Sequence, residues 1–597
     1  MFISNLTGTM MRVEPHPDTR FVFEIWFDYT KQAINLIREG AMVAVPNFAS
    51  NQSETHLSIL EVSSILPMHY ALGSDTSGYP GFVEEAARSA ALDWEQDTES
   101  TEDTTKIKCI AVPTNLELVL RGSDQPVMQP EENLPMIGSR VNLFNTEQTQ
   151  RIVNLGIEPT RDNTLTIGQL IRDDEVNIWL RIEDLMKVHF GIFGFTGAGK
   201  SNFVSTLTRR ILTESREPAK VVIFDLMSEY SALLIDQLVG FPRSGIVNLG
   251  EQTVPESLLE YYANQTPERL AVATNDMLRS TLFSKGLKGR QTEFQNATQR
   301  LIESRRIRIY REQDRTIGRF AESLEGEVLR GNMGNSAAPV RQFFDDFVSD
   351  FASMSFTQEN WNQASQRIQQ FASQNLTATA AGNIRTLRQR LEAEFNRPRV
   401  DIPSAARVTV PDIIRLLNDS ASSALLVIQS HDPDELRNFA NLLGNLTYEE
   451  RRRTGQIAPL VSFVFDEADE FIPQRADGSY AASAAIVMTL ARRGRKFGLG
   501  IGIATQRVRY LNTSIMAQPH TYFISKLPRQ TDRQVVAEAF GISEDMFRQT
   551  FKFRKGDWLV ASYDAAGLEA VPVPIHVENA EQRVLDFLQD FNAEGQQ

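Results

Sequence analysis

The stretch GFTGAGKSN, Gly194 to Asn202, limits what this chain can fold into more than any other part of it. It fits G-x-x-x-x-G-K-S/T, a loop whose glycines leave backbone N–H groups free to cradle phosphate oxygens. Lys200 would reach the β- and γ-phosphates of a nucleotide, and the Ser201 hydroxyl would ligate Mg²⁺. The flanks supply the context such a loop needs. FGIFGF (Phe190–Phe195) is a short apolar run of strand type, and NFVSTLTRRIL (Asn202–Leu212) carries apolar residues at helical spacing. Strand, glycine loop and helix in that order bring phosphates to the positive end of a helix dipole. The residues expected to hold the nucleotide are Gly194, Thr196, Gly197, Ala198, Gly199, Lys200, Ser201 and Asn202.

The rest of the chain says what surrounds the loop. Over about 165–250, and again over 405–570, apolar strands alternate with helices. The strands include KVVIFDLMSEYS (Lys220–Ser231), ALLVIQS (Ala424–Ser430), LVSFVFDEADEF (Leu460–Phe471) and LGIGIATQ (Leu499–Gln506). Continuous apolar strands between helices predict a parallel sheet covered on both faces, hence an α/β, P-loop (RecA-like) core. Residues 1–150 differ. Short apolar stretches such as AMVAVPNF (Ala41–Phe48), HLSILEVSSIL (His56–Leu66) and KCIAVPT (Lys108–Thr114) are separated by turn residues, the pattern of a small β-rich module or barrel. Between them DWEQDTESTEDTT (Asp93–Thr105) is an acidic run, either a solvated loop or an interaction tail. Residues 255–400 read as helices rich in Gln, Asn, Arg and Glu, for example TEFQNATQRLIESRRIRIY (Thr292–Tyr310), and predict a helical subdomain inserted into the core. Residues 571–597 form a C-terminal tail with an amphipathic helix around Glu578–Phe591.

A chain of 597 residues exceeds one core and suggests about three or four domains. No run of about 18 apolar residues occurs, so no membrane span is expected. The first twenty residues lack the charged head and apolar centre of a signal peptide. A single cysteine, Cys109, excludes an internal disulfide framework and a cysteine-rich zinc site. These features predict a cytoplasmic protein. The net charge of −15 argues against a surface that coats itself in DNA, while leaving room for a narrow basic surface such as the pore of a ring.

A phosphate loop also needs an acid to hold the metal and a group to position the attacking water. In SFVFDEADE the apolar residues make the strand, and Asp466 and Glu467 fall at its carboxyl end, where open α/β sheets bind ligands. Asp466 is the expected Mg²⁺ acid and Glu467 the expected water activator; the alternative is a pair of acids capping the next helix. Gln506 ends a further strand and can reach the γ-phosphate, unless it is an ordinary strand terminus. Asp225 and Glu229 could join this network or serve structural hydrogen bonds. Arg492, Arg493, Arg495 and Lys496 precede the strand that ends in Gln506. They are either a solvated basic helix end or the source of an arginine finger, which one chain cannot supply in trans to its own site without a closed ring.

GIFGFTGAGKSN, the IFDLMSEYS strand, VFDEADEF and ARRGRKFGLGIGIATQR, in that order, resemble the HerA-type ATPases of the wider FtsK–HerA group. The resemblance spans about 1–250 and 405–597, with an N-terminal module like a HAS barrel, the Lys187–Phe190 run and a C-terminal segment around KFRKGDWLVAS (Lys552–Ser562). It implies a homohexameric ring with ATP sites between subunits, double-stranded DNA moved through the pore, and an effector docked on the ring. In archaeal members that effector is a NurA-type nuclease; bacterial members are often paired with nucleases or sirtuin-like NAD-consuming proteins in anti-phage defence. It carries ATP contact and catalysis onto Gly197, Gly199, Lys200, Ser201, Asp466, Glu467 and Gln506, with a trans-acting arginine among Arg492, Arg493 and Arg495, of which Arg492 or Arg493 is favoured. One departure stands out: the family's Asp-Pro-His-Gly-Glu-Tyr reads Asp-Leu-Met-Ser-Glu-Tyr here, keeping Asp225, Glu229 and Tyr230.

The expected activity is therefore a ring ATPase that moves DNA. The rival is an assembly scaffold in which ATP gates an effector. Arg305, Arg306, Arg308 and Arg311 predict a basic helix, read either as a DNA-facing pore element or as a solvated face.

Overall fold

The computed structural model describes residues 1–16, 20–69, 105–121, 126–171, 173–311, 316–396, 402–476, 479–540, 547, 550–569 and 571–594. Most of the acidic run, 93–104, lies outside them. The chain forms two compact units, one of 1–246, 278–306 and 413–597, the other of 247–277 and 307–412.

The first unit opens with antiparallel strands β1 (Phe2–His16), β2 (Arg20–Asp28), β3 (Met42–Pro46), β4 (Glu54–His69), β5 (Thr105–Arg121), β6 (Val127–Pro130) and β7 (Arg140–Phe144). They run in the order β2-β1-β7-β3-β4-β5-β6, and β2 also pairs with β5, closing the ring of strands. The alternation expected of a half-buried strand is visible in β2. Phe23, Ile25 and Phe27 point into the barrel core with Met10, Val43 and Cys109, while Trp26 on the other face donates to Glu24 at 2.7 Å.

The second sheet of this unit holds β8 (Thr164–Leu170), β9 (Asp173–Arg181), β10 (Phe190–Phe193), β11 (Ala219–Asp225), and, beyond β12 (Gly245–Leu249) and β13 (Ile307–Tyr310), strands β14 (Ala424–Gln429), β15 (Leu460–Asp466), β16 (Leu499–Thr505), β17 (Thr521–Ile524), β18 (Asp557–Ser562) and β19 (Val573–His576). Its order is β14-β11-β15-β16-β10-β17-β18-β19-β8-β9. From β14 to β17 every pairing is parallel. These strands do not alternate: every residue of β10, β11, β14 and β16 is buried, as a sheet covered on both faces requires. From β17 onward the pairings are antiparallel, so the C-terminal strands extend the same sheet. The tail expected at 571–597 thus supplies β19 and a helix, Ala580–Glu594, that packs on the helix after the phosphate loop.

The second unit has its own core. Helices Ala337–Asp350, Gln358–Ala372 and Ala378–Phe395 enclose Phe343, Phe347, Trp361 and Leu387, with the rings of Phe343 and Phe371 stacked 4.0 Å apart. Residues 278–306 belong to the first unit, so the helical region expected over 255–400 is divided between the two.

The basic helix through Arg305–Arg311 does not form. The helix ends at Glu303, Arg305 takes a left-handed φ of 55°, and Ile307 and Ile309 then alternate, buried, with exposed Arg308 in β13. The guanidinium of Arg306 donates to the carbonyls of Leu238, Val239 and Phe241 at 2.7, 3.0 and 3.1 Å. A period of two overrides the helical propensity of the arginines. Among the described residues no helix is long and apolar enough to cross a membrane.

Candidate active site

The phosphate loop joins β10 to the helix Lys200–Glu214. Gly197 and Gly199 have φ of 84° and 99°, a region that side chains disfavour. Gly194 is tightly packed instead: a Cβ there would lie 3.2 Å from Ser525 Cβ and 3.3 Å from Ala198 Cβ. Gly199 is the helix N-cap and no side chain caps the terminus. First-turn amides have no acceptor within their own helix, and together with the helix dipole they make an anion site.

Strand order brings the acids to this loop. β16 lies between β10 and β15, with Phe193 level with Thr505 and Asp466 level with Ala504. The residues after each strand end therefore meet at one edge. Lys200 Nζ sits 2.7 Å from Asp466 Oδ1 and 2.8 Å from Glu467 Oε1. Gln506 Nε2 donates to Glu467 Oε1 at 3.2 Å, and the Thr196 hydroxyl donates to Gln506 Oε1. Burial alone would depress the Lys200 ammonium, but the two carboxylates outweigh it and raise its pKa. Burial raises the Glu467 carboxyl above its ordinary value despite the lysine beside it. Glu467 also adopts a left-handed backbone, φ 47°. A carboxylate with a raised pKa, hydrogen-bonded to an amide and next to a phosphate loop, can take a proton from water.

Behind this row, the Thr505 hydroxyl donates to Asp469 at 2.7 Å, and Arg507 pairs with the same carboxylate at 3.3 Å. Asp225 accepts from the backbone N–H groups of Glu229 (3.2 Å) and Tyr230 (2.9 Å) and from Gln429 (3.4 Å). It holds the strand-end turn in shape, and burial raises its pKa to about 7. The Tyr230 hydroxyl is fully buried, with Ser201 and Asp466 among its polar neighbours. The Ser201 hydroxyl and Asp466 carboxylate are hard oxygen donors, the type Mg²⁺ takes while keeping several waters.

Asn202 departs from expectation. Its side-chain amide donates to the Glu578 carbonyl at 3.0 Å, and its carbonyl accepts from Ala580 N–H at 2.6 Å. The same C-terminal segment grips the loop's helix elsewhere. Glu578 pairs with Arg209 at 3.1 Å and Arg210 at 3.2 Å, and the Trp558 ring lies 4.5 Å from that of Phe203. Trp558 lies in the segment KFRKGDWLVAS that carries the resemblance, but nothing in the sequence tied it or Glu578 to this helix; the separations run to more than 350 residues.

Arg492 and Arg493 end the helix Ser479–Arg493, and both are exposed, as are Arg495 and Lys496. Among the described residues neither Arg492 nor Arg493 forms an ion pair. Buried His189, at the start of β10, fixes this helix end. Its Nε2–H donates to the Ala491 carbonyl at 2.8 Å, and its Nδ1 accepts from Ile501 N–H at 3.1 Å. Burial lowers its pKa to about 4, which keeps the ring neutral with the proton on Nε2.

Residues 165–394 match the family described as "Helicase HerA, central domain". The chain is 22% identical over 413 residues to the probable DNA double-strand break repair helicase HerA of Methanocaldococcus jannaschii, covering 66% of this chain and 73% of the relative. It is 22% identical over 463 residues to the DNA double-strand break repair helicase HerA of Pyrococcus furiosus, covering 72% and 73%. Among solved structures, VirB4 of Thermoanaerobacter pseudethanolicus aligns over 71% of this chain and 98% of its own, at 13% identity and a TM-score of 0.39. The chain is an ATP-hydrolysing enzyme whose residues 165–394 match the HerA central domain and which is similar to the HerA helicases.

Proposed function

We propose that this ATPase works as a closed ring, a homohexamer, that moves double-stranded DNA through its pore and acts with an effector protein in the cytoplasm. In this reading Lys200 binds the β- and γ-phosphates, Glu467 takes the proton of the attacking water, and Gln506 links that acid to the γ-phosphate through its amide. Ser201 and Asp466 hold Mg²⁺, which when bound neutralises phosphate charge. Arg492 or Arg493 stabilises the transition state of the neighbouring subunit. The effector is a nuclease or a sirtuin-like NADase, and the setting is anti-phage defence, as the family resemblance implies.

The observation that carries the ring is the division of the site. Lysine, acids and glutamine meet within one chain, while exposed Arg492 and Arg493 before β16 form no ion pair in it among the described residues. The names of the two archaeal relatives support the DNA substrate. The net charge of −15 favours a second reading, an ATP-gated scaffold that activates the effector without processive movement on DNA.

ATP turnover by the chain alone, with and without double-stranded DNA, separates the two. Stimulation by DNA is expected of the motor. Unchanged turnover, with effector activation retained, overturns it. The mass of the purified assembly tests the ring, and a monomer in the presence of ATP would exclude it.

A further inference from the structure

A second lysine stands at the phosphate loop. The turn before β18 carries Lys555 and Gly556, and it lies against the loop's helix terminus. A Cβ on Gly199 would meet Lys555 Cγ at 3.6 Å and Gly556 N at 3.8 Å. The turn is held rigidly. Asp557 Oδ2 accepts from Arg554 N–H at 2.7 Å, Asp557 Oδ1 pairs with His576 Nδ1 at 2.7 Å, and Gly556 has a φ of 95°. The Lys555 stem is thus fixed beside the N-cap of the phosphate helix, and its ammonium is three bonds beyond the contacting Cγ.

That ammonium has a loose partner. Lys555 Nζ lies 3.5 Å from Glu581 Oε2, and its side chain is 59% exposed. Glu581 does not depend on it. Glu581 Oε1 accepts from the Ser284 hydroxyl at 2.6 Å and from Gly286 N–H at 3.1 Å, so the carboxylate stays hydrogen-bonded when the lysine leaves. A long, exposed ion pair binds weakly, whereas a phosphate offers several charged oxygens beside a helix terminus that already favours anions.

We propose that Lys555 is a nucleotide-binding residue: it rests on Glu581 when the loop is free and passes to the phosphates of the nucleotide when it is filled. The inference rests on the ATP site itself and not on ring formation or on DNA. The segment after β17 thereby completes the phosphate site from within the same chain, and Glu581 tunes its affinity by competing for the ammonium.

The test is ADP and ATP binding by calorimetry on the full chain, together with the melting temperature without nucleotide. Lys555→Ala is expected to weaken both nucleotides about tenfold or more, the size of a charged hydrogen bond lost. The nucleotide-free melting temperature should not change, and Lys555→Arg should restore most of the affinity. Glu581→Gln should bind nucleotide at least as tightly as the wild type. Unchanged affinity in Lys555→Ala overturns the proposal. So does a loss that comes with a matching drop in melting temperature and is not restored by arginine, because that marks a structural lysine. If Lys200→Ala also leaves binding intact, the fault lies with the phosphate-loop reading and not with Lys555.

Discussion

Lys200 Nζ lies 2.7 Å from Asp466 Oδ1, an ion pair closed across 266 positions of the sequence. Both side chains are nearly buried, at 10% and 3% exposure. Removing one partner of such a pair strands the other charge, so the loop and the acid strand depend on each other. A phosphate entering the loop competes with this carboxylate, and with Glu467, for a single ammonium.

Lys200→Ala should therefore lose turnover by at least about a hundredfold, since it removes the buried ammonium held between Asp466 and Glu467 at the loop. Phosphate release measures it. Turnover within a few-fold of the wild type would move the active site elsewhere.

Glu467→Gln keeps the hydrogen bond to Gln506 but cannot accept a proton. Nucleotide should bind with near-normal affinity while hydrolysis slows by about a hundredfold or more. Paired binding and single-turnover measurements check this. Normal hydrolysis would assign water activation to another group.

Arg492→Ala and Arg493→Ala address the ring. The finger variant should lose about a thousandfold in turnover alone. Mixed with Lys200→Ala subunits it should regain part of the activity, because an intact loop then meets an intact arginine. If neither arginine variant loses activity, or mixing restores none, the trans assignment is wrong.

Asp225 makes stability depend on pH. Its folded pKa, about 7, stands above the ordinary value of 3.8 because the group is buried and faces Asp466. The folded state thus binds a proton that the unfolded chain has already lost. This contribution is fully present below about pH 4 and disappears as pH rises through 7, a change of roughly 4 kcal/mol for a fully buried group. Melting temperatures of the wild type should fall from pH 5 to pH 8 more steeply than those of Asp225→Asn. Parallel curves would refute the assignment.

The strand, loop and acid positions were legible because each depends on local order. Gly197 and Gly199 mark left-handed turns, and Phe463–Phe465 mark a strand that delivers Asp466 and Glu467 to its end. Arg305–Arg311 misled because charge hid the alternation of Ile307 and Ile309, and φ at Arg305 is a local choice that no periodicity announces. The roles of Trp558, Lys555 and Glu578 at the loop were invisible for another reason. Their contacts with Phe203, Gly199 and Asn202 join segments more than 350 residues apart, and nothing in either segment alone specifies the other. His189 belonged to a run seen in the family, yet its task needs the Ala491 carbonyl and the Ile501 amide together.

The bond from Asn202 to the Glu578 carbonyl sets an order of events during synthesis. The phosphate loop emerges from the ribosome 376 residues ahead of the carbonyl that receives its amide. Until that stretch is made, the helix after the loop lacks the partners of Arg209, Arg210 and Phe203. A nascent chain halted before β18 carries the whole nucleotide motif but none of these braces on the helix that follows it.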